Sequence, residues 1–572
     1  MLSLPEPCNA HFAALTADWT TTGKVARFWA RDASLWTNTD EDQWMGWLDI
    51  VEHQLEHRHR FESIAHDVKT RGFHNAALLG MGGSSLCPEV LALTFGHQAG
   101  FPRLHILDST DPAQVTRIAS LANPSEALFI VASKSGSTLE PNIFKQFFYE
   151  RAAHDGSRFI AITDPGSKMQ ASAEAANFDR ICFGVPSIGG RYSALSDFGM
   201  VPAAVMGLDT GTLLQHAARM VEACREPDAA QNPGVSLGLA LGALQQAGRD
   251  KMTIIASPVV RAFGAWLEQL VAESTGKLGK AIIPVDGESL AAPGFYGDDR
   301  VFVYVRYTHQ FDVSQDDAVA ALQAAGQPVI QVDLLDLYNL GAEFFRWEVA
   351  TAVAGSVMGI NPFNQPDVEA AKIATRELTN AYEVSGVLPA ELPRLEADGF
   401  RFFTDDRNAL QLSGRNAVEY LRSHLARVEG GKDYVALLAY IDRTADHQHA
   451  LQSIRTVIRD HTRAATCLGF GPRFLHSTGQ AYKGGPNTGV ILQITCDDKE
   501  DVPIPGQKYS FGIVKQAQAA GDFAVLTERG RRALRIHLSS DVAGGLRTLE
   551  SAIRQAVIRL PTSDRTPKKA TK

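Results

Sequence analysis

The sequence predicts an α/β protein built from two doubly wound parallel-sheet domains followed by a smaller C-terminal α/β unit. A chain of 572 residues, 45% of them hydrophobic, exceeds what a single core accommodates and points to two or three domains. Apolar runs of strand length alternate with helical stretches along most of it, the tempo of βαβ units whose sheets are covered on both faces. Clusters of Gly and Ser directly follow two of those runs, where a strand hands over to a helix.

Taken in order, residues 1–70 are rich in Trp, His and charge at helical spacing and read as a helical segment packed on the first sheet, with no obvious chemistry. In residues 71–225 the runs AALLG, LHIL, LFIVAS and FIAIT alternate with helices and define a first parallel-sheet domain. In residues 226–383 the run TIIAS, a helix from about Arg261 to Ser274, and the runs VFVYV and PVIQV define a second. Pro, Gly and acidic residues mix at 384–406. Beyond them YVALLAYI, GVILQIT and ALRIHL recur between helical segments, which predicts the third unit at 407–560. The terminal stretch 561–572, ending SDRTPKKATK, reads as disordered.

Lys and Arg number 55 against 64 Asp and Glu, a net charge of −9. This balance argues against nucleic acid or an anionic membrane as the main partner, so a phosphorylated ligand has to be caught by a local site. Cys8, Cys87, Cys182, Cys224, Cys467 and Cys496 are scattered without CxxC or Cys/His ligand spacing. Reduced thiols, no metal site and a cytoplasmic setting are expected. Neither the opening MLSLPEPCNAHF nor any long apolar run marks a signal peptide or a membrane span.

Gly80-Met81-Gly82-Gly83-Ser84-Ser85 follows a strand and opens a helix, so its backbone can approach a ligand at the helix N-terminus. It departs from the dinucleotide pattern because Ser85 stands at the third glycine, and a tight turn with a helix cap accounts for it equally. Ser133-Lys134-Ser135-Gly136-Ser137-Thr138 is more informative. Four hydroxyls, a glycine and backbone amides at a strand-to-helix turn make a donor array suited to a phosphate monoester, while GxxxxGK[ST] is absent. A serine-rich N-cap explains one or two of these hydroxyls but not the cluster.

Gly189-Gly190-Arg191 is a glycine turn delivering an arginine, either to face a developing oxyanion or as a plain surface turn. Gln269 and Glu273 lie four residues apart on one helix face beside the Gly276 stop. A carboxylate there can act as a base, although a glutamate standing alone is most often solvated. Asn361-Pro362-Phe363-Asn364-Gln365-Pro366 opens another helix with Lys372 two turns in, and lone lysines are usually solvated too.

Together the wording and order of GMGGSSL, VASKSGST, GGRYSALSDFGMVPAA, WLEQLVAESTGK and GINPFNQPDVEAAK resemble the glucose-6-phosphate isomerase family from about Leu79 to Lys372. With RDASLW, DSTDP and GFGPRFLHSTGQAYKGGPNTGVILQIT, the chain is similar over nearly its whole length to the isomerase half of bifunctional transaldolase/glucose-6-phosphate isomerases. No length remains for a transaldolase barrel of ~250 residues, so transaldolase activity is not expected.

The resemblance implies sugar-isomerase (SIS) domains and an aldose–ketose isomerase that works through ring opening and a cis-enediol. It also implies a sugar phosphate as partner, no cofactor, no metal and the option of a homodimer. Ser84, Ser133, Lys134, Ser135 and Thr138 are then expected to line the phosphate site, with Gly83 and Ser137 shaping it and Gly190 beside the substrate. Glu273 is implied as the base, Arg191 as the group steadying the enediolate, Gln269 as the sugar-orienting amide, and Lys372 with a histidine as the ring-opening pair. Isomerisation needs one carboxylate that takes and returns a proton and a cation where oxyanion character develops.

The histidine departs from the family order, which places it between the Glu and Lys motifs. Between Lys280 and Asn361 the chain has only His309, in an unlike context. His476, in FLHSTGQAYKGGPN, is the better match but follows Lys372. Two expectations follow: the third unit carries His476 back across the cleft, where the family takes its histidine from a neighbouring subunit, or His476 is structural. The other readings are an isomerase of another sugar phosphate and a silent sugar-phosphate-binding regulator. Retention of Glu273, Arg191 and Lys372 together speaks against the regulator.

Overall fold

The computed structural model describes residues 1–560, so the tail expected to be disordered at 561–572 lies outside the described residues. The two-residue strand β1 (Leu2–Ser3) opens the chain. Strands β2 (Asn75–Leu79), β3 (Arg103–Leu107), β4 (Leu128–Ala132), β5 (Phe159–Thr163) and β6 (Arg180–Phe183) form a first sheet, parallel throughout, in the order β3-β2-β4-β5-β6. A second sheet contains β7 (Lys251–Ala256), β8 (Ile283–Val285), β9 (Arg300–Tyr307) and β10 (Val329–Leu334), parallel in the order β10-β9-β7-β8. The first strand of the chain, β1, pairs antiparallel onto the β10 edge.

The third sheet takes β11 (Leu395–Ala397), β12 (Phe400–Phe403), β13 (Tyr434–Tyr440), β14 (Ala465–Phe470), β15 (Gly489–Cys496) and β16 (Arg532–Leu538). Four of these run parallel in the order β14-β13-β15-β16, and the β11–β12 hairpin is added antiparallel to β16.

The three sheets share one rule. In each, the first parallel strand is central, the second lies to one side, and the third and fourth lie to the other. Helices leave the first and third strands in opposite directions, which opens a crevice at their C-terminal ends. One strand beside that crevice in the first sheet and one in the third, β4 and β13, bury every residue. This explains why they read as continuous apolar runs rather than alternating ones.

The helix Phe263–Thr275 follows β7 and is buried on nearly every side. The N-terminal helical segment is not a cover for the first sheet alone. Cys8–Thr21 packs on the helix Pro233–Gln246 and His59–Arg71 packs on the helix Asp197–Val205. Trp36 donates its indole N–H to Ala352 O at 2.8 Å. Among the described residues no helix is long and apolar enough to cross a membrane.

Candidate active site

A cavity of about 460 Å³ lies where the N-terminal segment and all three sheet units meet. From the first unit come the turns after β2 and β4. Gly82 has φ +56°, and a Cβ there would lie 2.8 Å from His476 O; a Cβ on Gly83 would lie 2.0 Å from Gly190 O. The two glycine turns and the His476 segment therefore meet backbone to backbone, an approach that only glycine permits. That contact seats Ser84 and Gly190 on the cavity wall.

The turn after β4 runs into the helix Leu139–Arg151, with Thr138 at its N-cap position but not capping it through its side chain. Ser133 Oγ is buried with no hydrogen-bond partner in the protein. Ser135 and Ser137 share a hydrogen bond of 2.7 Å at the exposed end of the turn. Ser133, Ser135 and Thr138 line the cavity, whereas Ser137 does not. Lys134 also lines it, but its ammonium is ion-paired with Asp164 and donates to Val185 O at 3.1 Å and Pro186 O at 3.3 Å. Its charge is largely met by the protein, and it straps the turn to the chain leading into Gly190.

On the opposite wall, Glu273 is only 7% exposed, unlike the solvated glutamate that its residue type alone predicts. Its Oε2 accepts from Gln269 Nε2 at 3.1 Å and its Oε1 lies 3.4 Å from Arg191 Nη1. Arg191, 2% exposed, is held on every side. It donates through Nε to Ser274 Oγ (2.7 Å), through Nη1 to Gln365 Oε1 (3.0 Å), and through Nη2 to Pro362 O (2.5 Å) and Asn364 O (3.1 Å). The NPFNQP segment thus fixes the plane of the guanidinium. Gln269 Nε2 also donates to His476 O at 2.8 Å, while its Oε1 is buried without a partner.

Lys372, two turns into the helix Pro366–Ser385, donates to Glu369 Oε1 at 2.8 Å and lines the cavity. His476 reaches the same cavity from the third unit of the same chain, through the loop that follows β14. Its Nε2 lies 3.0 Å from Glu140 Oε1; a carboxylate only accepts, so that nitrogen carries the hydrogen. Burial pushes the Glu140 carboxyl up, but the charge and hydrogen bond of His476, with the charge of Lys372, more than offset it and hold the group below its ordinary value. Gln518 braces the pair, donating to Glu140 at 2.6 Å while accepting from Thr110 Oγ1 at 2.6 Å.

Of the thirteen residues expected from sequence, twelve line this one cavity, and Ser137 stands just behind it. Sequence reasoning missed Glu140, whose only signal was its place two residues beyond Thr138. It also missed Asp40 and Trp44, which bring the N-terminal segment to the cavity and change its reading as chemically silent. Asp40 accepts from Asn361 Nδ2 at 2.8 Å and from Trp44 Nε1 at 3.0 Å. Among the described residues no group of three or more His, Cys, Asp or Glu side chains is placed to hold a metal ion.

The family model of phosphoglucose isomerase matches residues 58–291. The chain is similar to the glucose-6-phosphate isomerase of Rubrobacter xylanophilus, with 32% identity over 373 residues that span 56% of this chain and 86% of the relative. It is similar also to that of Symbiobacterium thermophilum, at 28% identity over 62% of this chain and 89% of the relative. Among solved structures, a hypothetical protein from Thermus thermophilus matches with a TM-score of 0.56 and 24% identity, over 66% of this chain and 99% of its own. A glucose-6-phosphate isomerase from Chlamydia trachomatis matches with a TM-score of 0.51 and 20% identity, over 59% and 75%. At these identities the two structures speak for the fold.

Proposed function

This chain belongs to the phosphoglucose isomerase family, and from that premise we propose that it is an aldose–ketose isomerase interconverting glucose 6-phosphate and fructose 6-phosphate. The observation that carries the reading is convergence: a carboxylate, a locked arginine, a lysine, a carboxylate-paired histidine and a hydroxyl-rich turn face one cavity.

In this reading the phosphate lies against Ser84, Ser133, Ser135 and Thr138 at the N-terminus of the helix Leu139–Arg151, where backbone N–H groups and the helix dipole favour an anion. Ser133 Oγ and Gln269 Oε1, both buried without protein partners, are the polar capacity that a phosphorylated polyol satisfies.

His476 and Lys372 open the ring, one delivering a proton to the ring oxygen while the other takes the proton of the anomeric hydroxyl. Glu273 then removes the proton from C2 of the open aldose and returns it to C1, while the O2 hydroxyl proton passes to O1 through the cis-enediol, so that C1 is reduced and C2 oxidised within the substrate. Arg191 faces the oxygen on which negative charge collects between those transfers. Its bonds to Ser274, Pro362, Asn364 and Gln365 already hold it in place, so little reorganisation opposes the step. Because His476 arrives from the same chain, the proposed site is complete within one protomer.

The test is conversion of fructose 6-phosphate, coupled to glucose-6-phosphate dehydrogenase, for the wild type beside Glu273→Gln. We expect wild-type turnover and a kcat about 10²–10⁴-fold lower in the variant, the usual worth of a positioned general base. Undiminished turnover in Glu273→Gln removes the base assignment, and an inert wild type removes the isomerase reading.

A further inference from the structure

Gln480 is fully buried and does not line the cavity, yet it touches both helices that bear the proposed catalytic groups. It sits on the short helix Gly479–Gly484 of the third unit, four residues after His476. Its Nε2 donates to Gly276 O at 2.8 Å and to Asp367 Oδ2 at 2.9 Å. Its Oε1 accepts from the backbone N–H groups of Asp367 at 2.9 Å and Val368 at 3.2 Å. Both donors and both lone pairs of the amide are used.

Those partners are specific places in the fold. Gly276 directly follows the helix Phe263–Thr275, whose last turn carries Glu273. Asp367 and Val368 lie in the first turn of Pro366–Ser385, which carries Lys372. One side chain therefore satisfies an orphan carbonyl at the end of one helix and orphan N–H groups at the start of the other. The approach is close: a Cβ on Gly276 would lie 2.2 Å from Ala481 Cα.

We infer that Gln480 is a positioning residue that sets the spacing between the base Glu273 and the ring-opening Lys372. The inference rests on the isomerase reading above. Only an amide fits: the Nε2 end faces two acceptors, and the Oε1 end faces two donors. A glutamate there has to hold a proton on the end facing Gly276 O and the Asp367 carboxylate. The charged groups around that point are Asp367 itself, Arg529, which pairs with Asp367 at 3.0 Å, and Arg531 and Lys277, whose charges also act on or feel Asp367.

The experiment uses the full chain with Gln480→Ala and the isosteric Gln480→Glu, assayed on glucose 6-phosphate from pH 6 to 9, with folding followed by circular dichroism. For Gln480→Ala we expect kcat about tenfold lower with KM within about threefold, the scale of losing buried hydrogen bonds. With substrate deuterated at C2, the primary isotope effect falls toward unity as ring opening by a displaced Lys372 becomes the slow step. For Gln480→Glu we expect activity near wild type at the acid end and a loss as pH rises that the wild type does not share. Wild-type pH dependence in Gln480→Glu, or undiminished kcat in Gln480→Ala, overturns the assignment. If the alanine variant fails to fold, the glutamate variant decides alone. An inert wild type in the same assay is a failure of the isomerase reading, whereas an active wild type beside an unaffected Gln480→Glu is a failure of the clamp.

Discussion

The first and third units have parallel strands in the same order, so the turns at the ends of β2, β3 and β4 correspond to those at the ends of β13, β14 and β15. Their side chains put those places to opposite uses. In the first unit the turns after β2 and β4 are mostly glycine and short hydroxyl residues, and they line the open cavity. In the third unit they carry long charged side chains that reach across to the first. Arg443 donates to Glu89 at 2.6 Å, Arg473 pairs with Glu89 and reaches Asp108 at 2.8 Å, and Asp498 after β15 holds Lys515 of the helix Phe511–Glu528, which donates to Asp111 at 2.9 Å. A strand-order crevice is thus a ligand site only when small residues leave it empty; filled with charge, it becomes a docking face. Here the docked face delivers His476 to the open one.

The largest expected effect tests that delivery. His476→Ala is expected to fold normally and to lower glucose 6-phosphate turnover by about 10²-fold, the lower end for a lost acid–base group. A steady-state assay beside a thermal melt checks it, and near-normal turnover would reduce the third unit to scaffolding.

Next comes the dock itself. Arg473 lies three residues before His476 and is buried against Glu89 and Asp108. Arg473→Met leaves the buried Asp108 without its cation and Glu89 with Arg443 alone, and we expect a loss of about 3–5 kcal/mol in denaturant unfolding, with kcat falling because His476 shifts. The same network fixes an acid limit. Burial raises the Glu89 carboxyl, but Arg443 and Arg473 outweigh it and hold the group far below its ordinary value of 4.5. A depressed carboxyl contributes stability that is full above its unfolded value and is lost as pH falls through the folded one. Glu140 is shifted the same way, so wild-type stability is expected to decline below about pH 4.5, and Glu89→Gln to flatten that decline in melts taken from pH 3 to 7.

On the open side the effects are smaller and confined to binding. Ser133→Ala removes a hydroxyl that has no partner in the protein. We expect an unchanged melting temperature and a KM for glucose 6-phosphate raised about fivefold, the worth of one hydrogen bond of about 1 kcal/mol. A destabilised variant with unchanged KM would mean that the turn serves the fold rather than the phosphate.

What was legible in the sequence follows the same division. The parallel strands and the turns after β2 and β4 are local in sequence, so apolar run length and glycine–serine content reveal them. Each motif also carries a residue that lines the cavity: Ser133, Arg191, Glu273 and Lys372. The contacts of Lys134, Glu140, Arg473 and Gln480 were not legible, because each depends on a partner elsewhere in the chain. Glu140 meets His476 336 residues away, and Gln480 meets Gly276 204 residues away. An acidic residue in a helix's first turn is ordinary in itself. Nothing in the sequence marked Arg443 or Arg473 as docking residues, even within the motif that carries His476, since surface charge and docking charge have the same composition.

The smallest effect is expected at the rim of the dock, where Arg117 donates to Asp442 Oδ1 at 2.6 Å with side chains 38% and 15% exposed. Water and salt screen such a pair, so Arg117→Ala is expected to cost about 0.5–1 kcal/mol at low ionic strength. The difference should shrink toward zero in 1 M salt, where the Debye length is about 3 Å. Turnover should not change, because Arg117 and Asp442 touch neither His476 nor its carboxylate partner. Melts and rates at two salt concentrations check both halves. If Arg117→Ala lowered kcat as strongly as Arg473→Met, activity would depend on how firmly the whole third unit docks, and the local placement of His476 by Arg473 would lose its special role.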